Sequence, residues 1–152
     1  TTIVGMFYGA KEFDKLLSVV NYGINRAVLI TTISVIFFFV LASNILPIFS
    51  SNPLVIDIGV TYLKIIILVY PAVGISVICS RVCQALGQGM PLLITTITRV
   101  IILTAPLSYY FYFTGRPIEW VWFSQVFAIL IAATISFAWM RYYFRKFNIV
   151  RN

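Results

Sequence analysis

Four long apolar runs separated by short polar turns constrain this chain more than any other feature. They extend from about Leu16 to Phe49, Leu54 to Leu86, Leu92 to Phe113 and Trp120 to Met140. Each reaches or exceeds the roughly 20 mostly apolar residues that an α-helix needs to cross a bilayer. Their length favours helices over buried strands. Composition agrees: 61% of the residues are hydrophobic and 10% are charged, where soluble domains carry about a quarter charged residues. The expected fold class is all-α, a polytopic membrane protein with four transmembrane helices.

The breaks between runs use residues that stop and start helices. Pro47 closes the first run, Ser50 to Asn52 form a loop, and Pro53 suits the first turn of the next helix. Asp57 is expected in that first turn, where the helix dipole favours an anion. Gly87 to Pro91 join the second and third runs, and Thr114 to Pro117 join the third and fourth. Trp120 and Trp122 fit an interfacial belt at the entrance of the fourth run. The chain starts at Thr1 with no basic-then-apolar leader, and it is expected to be a piece of a longer one.

Charge sets the orientation. Lys11 and Lys15, then Arg81, then Arg141, Arg145, Lys146 and Arg151 fall on one side if the helices number four, whereas the other side offers Arg116 and Lys64. The positive-inside rule makes the richer side cytoplasmic, so both chain ends are expected in the cytoplasm and the protein in a cell membrane. The net charge of +7 thereby has a topological origin. A nucleic-acid partner would need a basic soluble face and is not expected. Cys79 and Cys83 lie one helical turn apart, but with no histidine in the chain a metal-ligand set cannot be completed. They read as small buried hydrophobes. No paired intramembrane carboxylates and no nucleophile with a base are present, so no catalytic residue, enzyme activity or cofactor is expected.

Polar residues within the runs mark faces turned away from lipid. Ser76, Ser80 and Gln84 recur every four residues on the second run, beyond a potential kink at Pro71 and Gly74. On the third run Thr95, Arg99 and Pro106 share a face, and Pro106 frees a backbone carbonyl. Gln125 stands alone on the fourth. Two readings stay open for these side chains: lining of a substrate path, or hydrogen-bonded glue between helices. Arg99 has its own pair of readings. A charge at bilayer depth costs at least about 2.5 to 3.5 kcal/mol on insertion scales, so it either anchors helix-end carbonyls or lipid by snorkelling, or it belongs to the transport path.

Five segments, in order, resemble the multidrug and toxic compound extrusion (MATE) family: VGMFYGAKEFDKLL (4–17), IFSSNPLVIDIGVTYLKI (48–65), CQALGQGMP (83–91), the Arg99 to Pro106 helix and VWFSQ (121–125). They are most similar to the carboxy-terminal lobe of its DNA-damage-inducible branch. The resemblance implies that residues 1–152 are part of a six-helix lobe, with a cytoplasmic loop at 5–15 after an early helix and a basic cytoplasmic tail at 141–152. It implies a secondary antiporter that exports organic cations or amphipathic drugs in exchange for Na⁺ or H⁺. Its partners would be the bilayer, the remaining helices of the transporter and small organic substrates. Some branches carry a carboxylate midway along the second run or four residues after the Gln125 position. Here those places read YPAVGISV and Ile129, so the coupling ion is expected outside this segment. Ser76, Ser80, Gln84, Arg99 and Gln125 are the candidate path residues, with Pro71 and Pro106 as kinks. A flippase of the same superfamily and a non-transporting helix-packing fragment are the alternatives.

Overall fold

A computed structural model describes residues 1–147 and 149. Helix α1 covers Thr2–Gly9, α2 Phe13–Phe49, α3 Pro53–Ile67, α4 Tyr70–Ala85, and α5 Met90–Ile97. A π-helical segment, Thr98–Thr104, joins α5 to α6, Ala105–Phe113, and α7 closes the fold at Ile118–Lys146. No strand occurs among the described residues. Three helical stretches, α2, the continuous Met90–Phe113 and α7, are each long and apolar enough to span, and α3 with α4, bent by 49° at their break, is the candidate for a fourth. The all-α, four-span architecture is therefore the one the apolar runs require.

Backbone hydrogen bonding explains where the helices stop. Gly87 (φ 78°) and Gly115 (φ 63°) adopt the left-handed conformation that glycine reaches without a Cβ clash. Each ends its helix with the same bonding pair. Gln88 N–H donates to the Cys83 carbonyl and Gly87 N–H to Gln84, while Arg116 N–H donates to Phe111 and Gly115 N–H to Tyr112. The end of α1 is built identically, but with Lys11 (φ 58°) in the glycine position. Glu12 N–H donates to the Phe7 carbonyl and Lys11 N–H to Tyr8. Residues 5–15 are consequently not a loop: α1 runs through Gly9, the turn is confined to Ala10–Glu12, and α2 starts at Phe13. A lysine in a left-handed turn carries no signal that sequence reading would recognise.

Two smaller expectations are also corrected. The Asn52 side chain accepts a bond from Leu54 N–H at 3.0 Å and so caps α3 at Pro53, which leaves Asp57 as the fifth helical residue, beyond the first turn. Helix α2 passes Pro47, where one ladder bond to the Ser43 carbonyl is lost, and ends two residues later at Phe49. The expected tail at 141–152 is helical as far as Lys146, while Asn148 and residues 150–152, Arg151 among them, lie outside the described residues.

Helix α7 is the organising element and packs most extensively on α4, which in turn packs on α2. Ser124, Ala128, Ala132, Ser136, Met140 and Phe144 are all buried at four-residue spacing. The first four are small, so the helix backbones approach closely, as membrane helices do when dispersion replaces the hydrophobic effect as the driving force. On the far side of α4, Gly74 serves the same purpose: a Cβ there would lie 3.4 Å from Thr31 Cγ2 and 3.7 Å from Ala27 Cβ of α2. Cys79 and Cys83 are free thiols buried in this core, and the described residues contain no group of three that could hold a metal.

The continuous core gathers at one end of the bundle, where Val4, Leu16, Val82, Leu86, Met140 and Phe144 meet. Lys11, Lys15, Arg81, Arg141, Arg145 and Lys146 flank those residues in sequence, so the fold brings three separate basic clusters to a single end. Of Trp120 and Trp122, only Trp120 faces outward, 45% exposed, with the Arg116 guanidinium 5.5 Å from its ring centre. Trp122 is 8% exposed and stands edge-on to Tyr62 of α3 at 5.4 Å. It belongs to the α3–α7 contact rather than to a lipid-facing belt, since residues two apart on a helix point roughly 200° apart.

Candidate functional site

The serines of the α4 stripe converge on a residue outside the sequence-derived set. Ser76 Oγ lies 3.1 Å from Ser136 Oγ of α7, and Ser80 donates to the same oxygen at 3.4 Å. Ser80 is 3% exposed and Ser136 1%. The three hydroxyls form a clasp across the α4–α7 seam, with each buried polar group supplied by its neighbour. Such interhelical bonds average about 0.6 kcal/mol in membranes, so the clasp sets register more than it adds stability. Gln84 does not join it. At the basic end its Oε1 accepts from the Arg81 guanidinium at 3.0 Å, an (i, i+3) pair along the surface of α4.

Pro71 and Pro106 act differently although each removes one N–H. The carbonyl facing Pro71 is that of Ile67, the last residue of α3, and the ladder ends there: Val69 N–H turns back to the Ile66 carbonyl at 3.3 Å, and the chain resumes as α4 after a 49° bend. Ahead of Pro106 the helix instead widens. Thr98–Thr104 is π-helical, Ala105 N–H donates to the Val100 carbonyl, and Thr104 Oγ1 donates to the Arg99 carbonyl at 2.8 Å. The extra residue per turn absorbs the missing donor without breaking the span. Single π turns of this kind occur frequently at functional sites.

Arg99 sits inside that widened segment, ten residues into the 24-residue Met90–Phe113 helix. Its depth can be read from neighbouring contacts. Ser108 of α6 pairs with Ser124 of α7 at 3.2 Å. Arg99 lies about 13 Å back from Ser108 and Ser136 about 18 Å along from Ser124 at 1.5 Å per residue. Arg99 is therefore within roughly one helical turn of the level of the serine clasp, on a helix that packs against α7. The residue is half-buried, and among the described residues no side chain bonds or pairs with its guanidinium. Gln125 is half-buried, one position from Ser124, whose hydroxyl joins α6 to α7 and also donates to the Val121 carbonyl at 2.6 Å.

The sequence set thus divides. Ser76 and Ser80 join in the clasp, Arg99 lies near its level on another helix, and Gln84 and Gln125 lie apart from it. The residues that sequence reading missed are Ser136, Ser124 and Ser108. A signal for the first two existed: Ser124, Ala128, Ala132 and Ser136 form a small residue repeat at intervals of four, the pattern of a close helix contact.

No sequence relative is found among curated proteins. Among solved structures the fold superposes on an inward-facing multidrug resistance MATE family transporter of the MOP superfamily with a TM-score of 0.88, at 22% identity, over 99% of this chain and 35% of that one. The outward-facing conformation of such a transporter gives 0.87 at 22% identity, over 97% and 34%. A MOP superfamily transporter from Pyrococcus furiosus gives 0.87 at 24%, over 96% and 33%. The chain therefore spans about a third of the length of the transporters it resembles. MATE family members are transporters rather than enzymes. The MatE family model matches residues 1–110, and the chain belongs to that family.

Proposed function

We propose that this chain forms part of a secondary active antiporter that exports organic cations or amphipathic compounds in exchange for Na⁺ or H⁺. The observation that carries this reading is the family match together with near-equal superposition on inward-facing and outward-facing relatives. A unit that fits both states keeps its internal packing while the access route changes, as expected of a lobe that rocks as a rigid body. The buried α4–α7 clasp supports such rigidity.

The finer assignment is to the carboxy-terminal lobe of the DNA-damage-inducible branch: the resembling segments at 4–17, 48–65, 83–91, 99–106 and 121–125 motivate the branch, and the basic residues after Met140 favour that lobe. The coupling ion is placed outside this segment, because the acids, Glu12, Asp14, Asp57 and Glu119, all lie near helix ends. The basic end is assigned to the cytoplasm of a cell membrane. Of the candidate path residues, Arg99 is the strongest, since its guanidinium is deep, half-buried and without a protein partner among the described residues.

Drug-stimulated cation flux in proteoliposomes tests this reading. The 152-residue chain alone is expected to give no ion-coupled dye export, and a polypeptide that adds the remaining helices is expected to restore it. Robust coupled export by the chain alone would overturn the division of labour. Export of a lipid-linked precursor with no response to organic cations would replace the antiporter by a flippase. For orientation, Ser51→Cys should react only with reagent added outside and Lys146→Cys only from the cytoplasm.

A further inference from the structure

A groove runs between α2 and α7, and its two ends differ in chemistry. At the basic end it is a cavity of about 290 Å³ lined by the apolar Leu17, Ile24, Phe137 and Met140 and by the polar Asn21 and Arg141. It continues as a trough of about 450 Å³ with Ala72 and Ile75 of α4 as floor and Leu130, Ala133 and Thr134 as wall. Ile24 and Phe137 border both parts, so the two are one channel on the surface. Its parts match the scale of small-molecule sites, roughly 300–1,000 Å³.

The chemistry changes where the apolar run of α7 ends. Arg141 is the first residue past that run, and its guanidinium carbon lies 5.3 Å above the ring centre of Phe137, a residue that borders both parts. No carboxylate pairs with it among the described residues. The trough offers a single polar side chain, Thr134. Its hydroxyl is already used on its own helix, donating to the carbonyls of Ile131 at 2.7 Å and Leu130 at 3.2 Å. An occupant of the trough therefore needs no hydrogen-bonding groups, while an occupant of the cavity at the basic end gains from negative charge.

From this juxtaposition we propose that the groove is a resident site for an anionic glycerophospholipid of the leaflet at the basic end. The phosphate sits between Arg141 and Asn21, and one acyl chain lies along the Ala72–Ile75–Leu130 trough. A guanidinium presents a planar fork that matches phosphate oxygens in pairs. A further protein helix laid in the trough would satisfy the apolar wall but would leave the guanidinium without an anion. Charge complementarity thus selects the lipid. The site is separate from the Ser76–Ser80–Ser136 clasp and does not depend on the antiporter reading.

Native mass spectrometry of the delipidated chain in detergent tests this, with dioleoyl phosphatidylglycerol, dioleoyl phosphatidylcholine and dioleoylglycerol as probes. Phosphatidylglycerol is expected to be retained about fivefold more than the other two, the scale of one Lys or Arg on an anionic lipid surface. Arg141→Gln should remove that preference, Thr134→Phe should lower retention of all three lipids by filling the trough, and Arg116→Gln at the opposite end should change nothing. Unaltered thermal melting of each variant separates lost binding from lost folding. Equal retention of the three lipids, or equal loss from Arg116→Gln and Arg141→Gln, would overturn the site. So would a photocrosslinking side chain at position 134 that captures protein and no lipid in native membranes.

Discussion

The α4–α7 seam and the π-helical stretch of the third span both place polar residues in an apolar setting, with opposite results. In the seam, Ser76, Ser80 and Ser136 use one another's hydroxyls and are closed off by alanines and Cys79. In the π segment no residue is fully buried, and the Arg99 side chain is left half-buried and without a protein partner among the described residues. A four-residue polar repeat is thus consistent with interhelical packing. A half-buried charge at a loosened turn is a costlier arrangement at bilayer depth unless the side chain snorkels or meets a counter-group.

Overfilling the seam is expected to have the largest effect. Ser136→Leu inserts a branched side chain where two small faces meet and is expected to destabilise by about 1–3 kcal/mol or more, read as a lower melting temperature in detergent and loss of monodisperse protein. An unchanged melt would mean that α4 and α7 are not in close contact. Arg99→Ala, made in the full-length transporter, should lower drug export roughly tenfold while expression stays near normal, the scale of a hydrogen bond to a charged group. If expression collapses instead, Arg99 is structural and the contrast between the two regions disappears.

Smaller effects are expected at Lys11 and Ser80. Lys11→Gly replaces a residue held at φ 58° and should stabilise the α1–α2 turn by about 1 kcal/mol, since the left-handed conformation costs a side chain of this kind roughly 1–2 kcal/mol. A melting temperature that falls would show that the lysine side chain is needed there. Ser80→Ala removes the longer of the two clasp bonds and should cost only about 0.6 kcal/mol, with export unchanged. A large export defect at normal stability would move Ser80 from the packing set to the transport path.

Four spans, their order and the basic end were legible in the sequence, because run length, helix-stopping pairs such as Gly87 with Pro91, and the distribution of Arg and Lys are local properties of the chain. The left-handed Lys11 was not, because its conformation is held by bonds back to Phe7 and Tyr8 rather than by its own preference. Nor was the inward turn of Trp122, which depends on Tyr62, sixty residues earlier in the chain. Of the candidate site, the residue types were visible but their partners were not. Periodicity showed which polar groups share a face of one helix, yet which face meets another helix is settled between helices. Ser76 and Ser80 became a clasp because α7 presents Ser136 to them, whereas no side chain among the described residues bonds the Arg99 guanidinium. Run length and the spread of Arg and Lys already pointed to an all-α chain of long apolar helices with one basic end, since transfer energies act within each segment, whereas helix limits such as the Lys11 turn, the passage of Pro47 and the break before Tyr70 did not show. Only the tertiary structure decided which polar residues satisfy one another and which proline bends rather than widens its helix, since those outcomes depend on atoms brought together from distant parts of the chain.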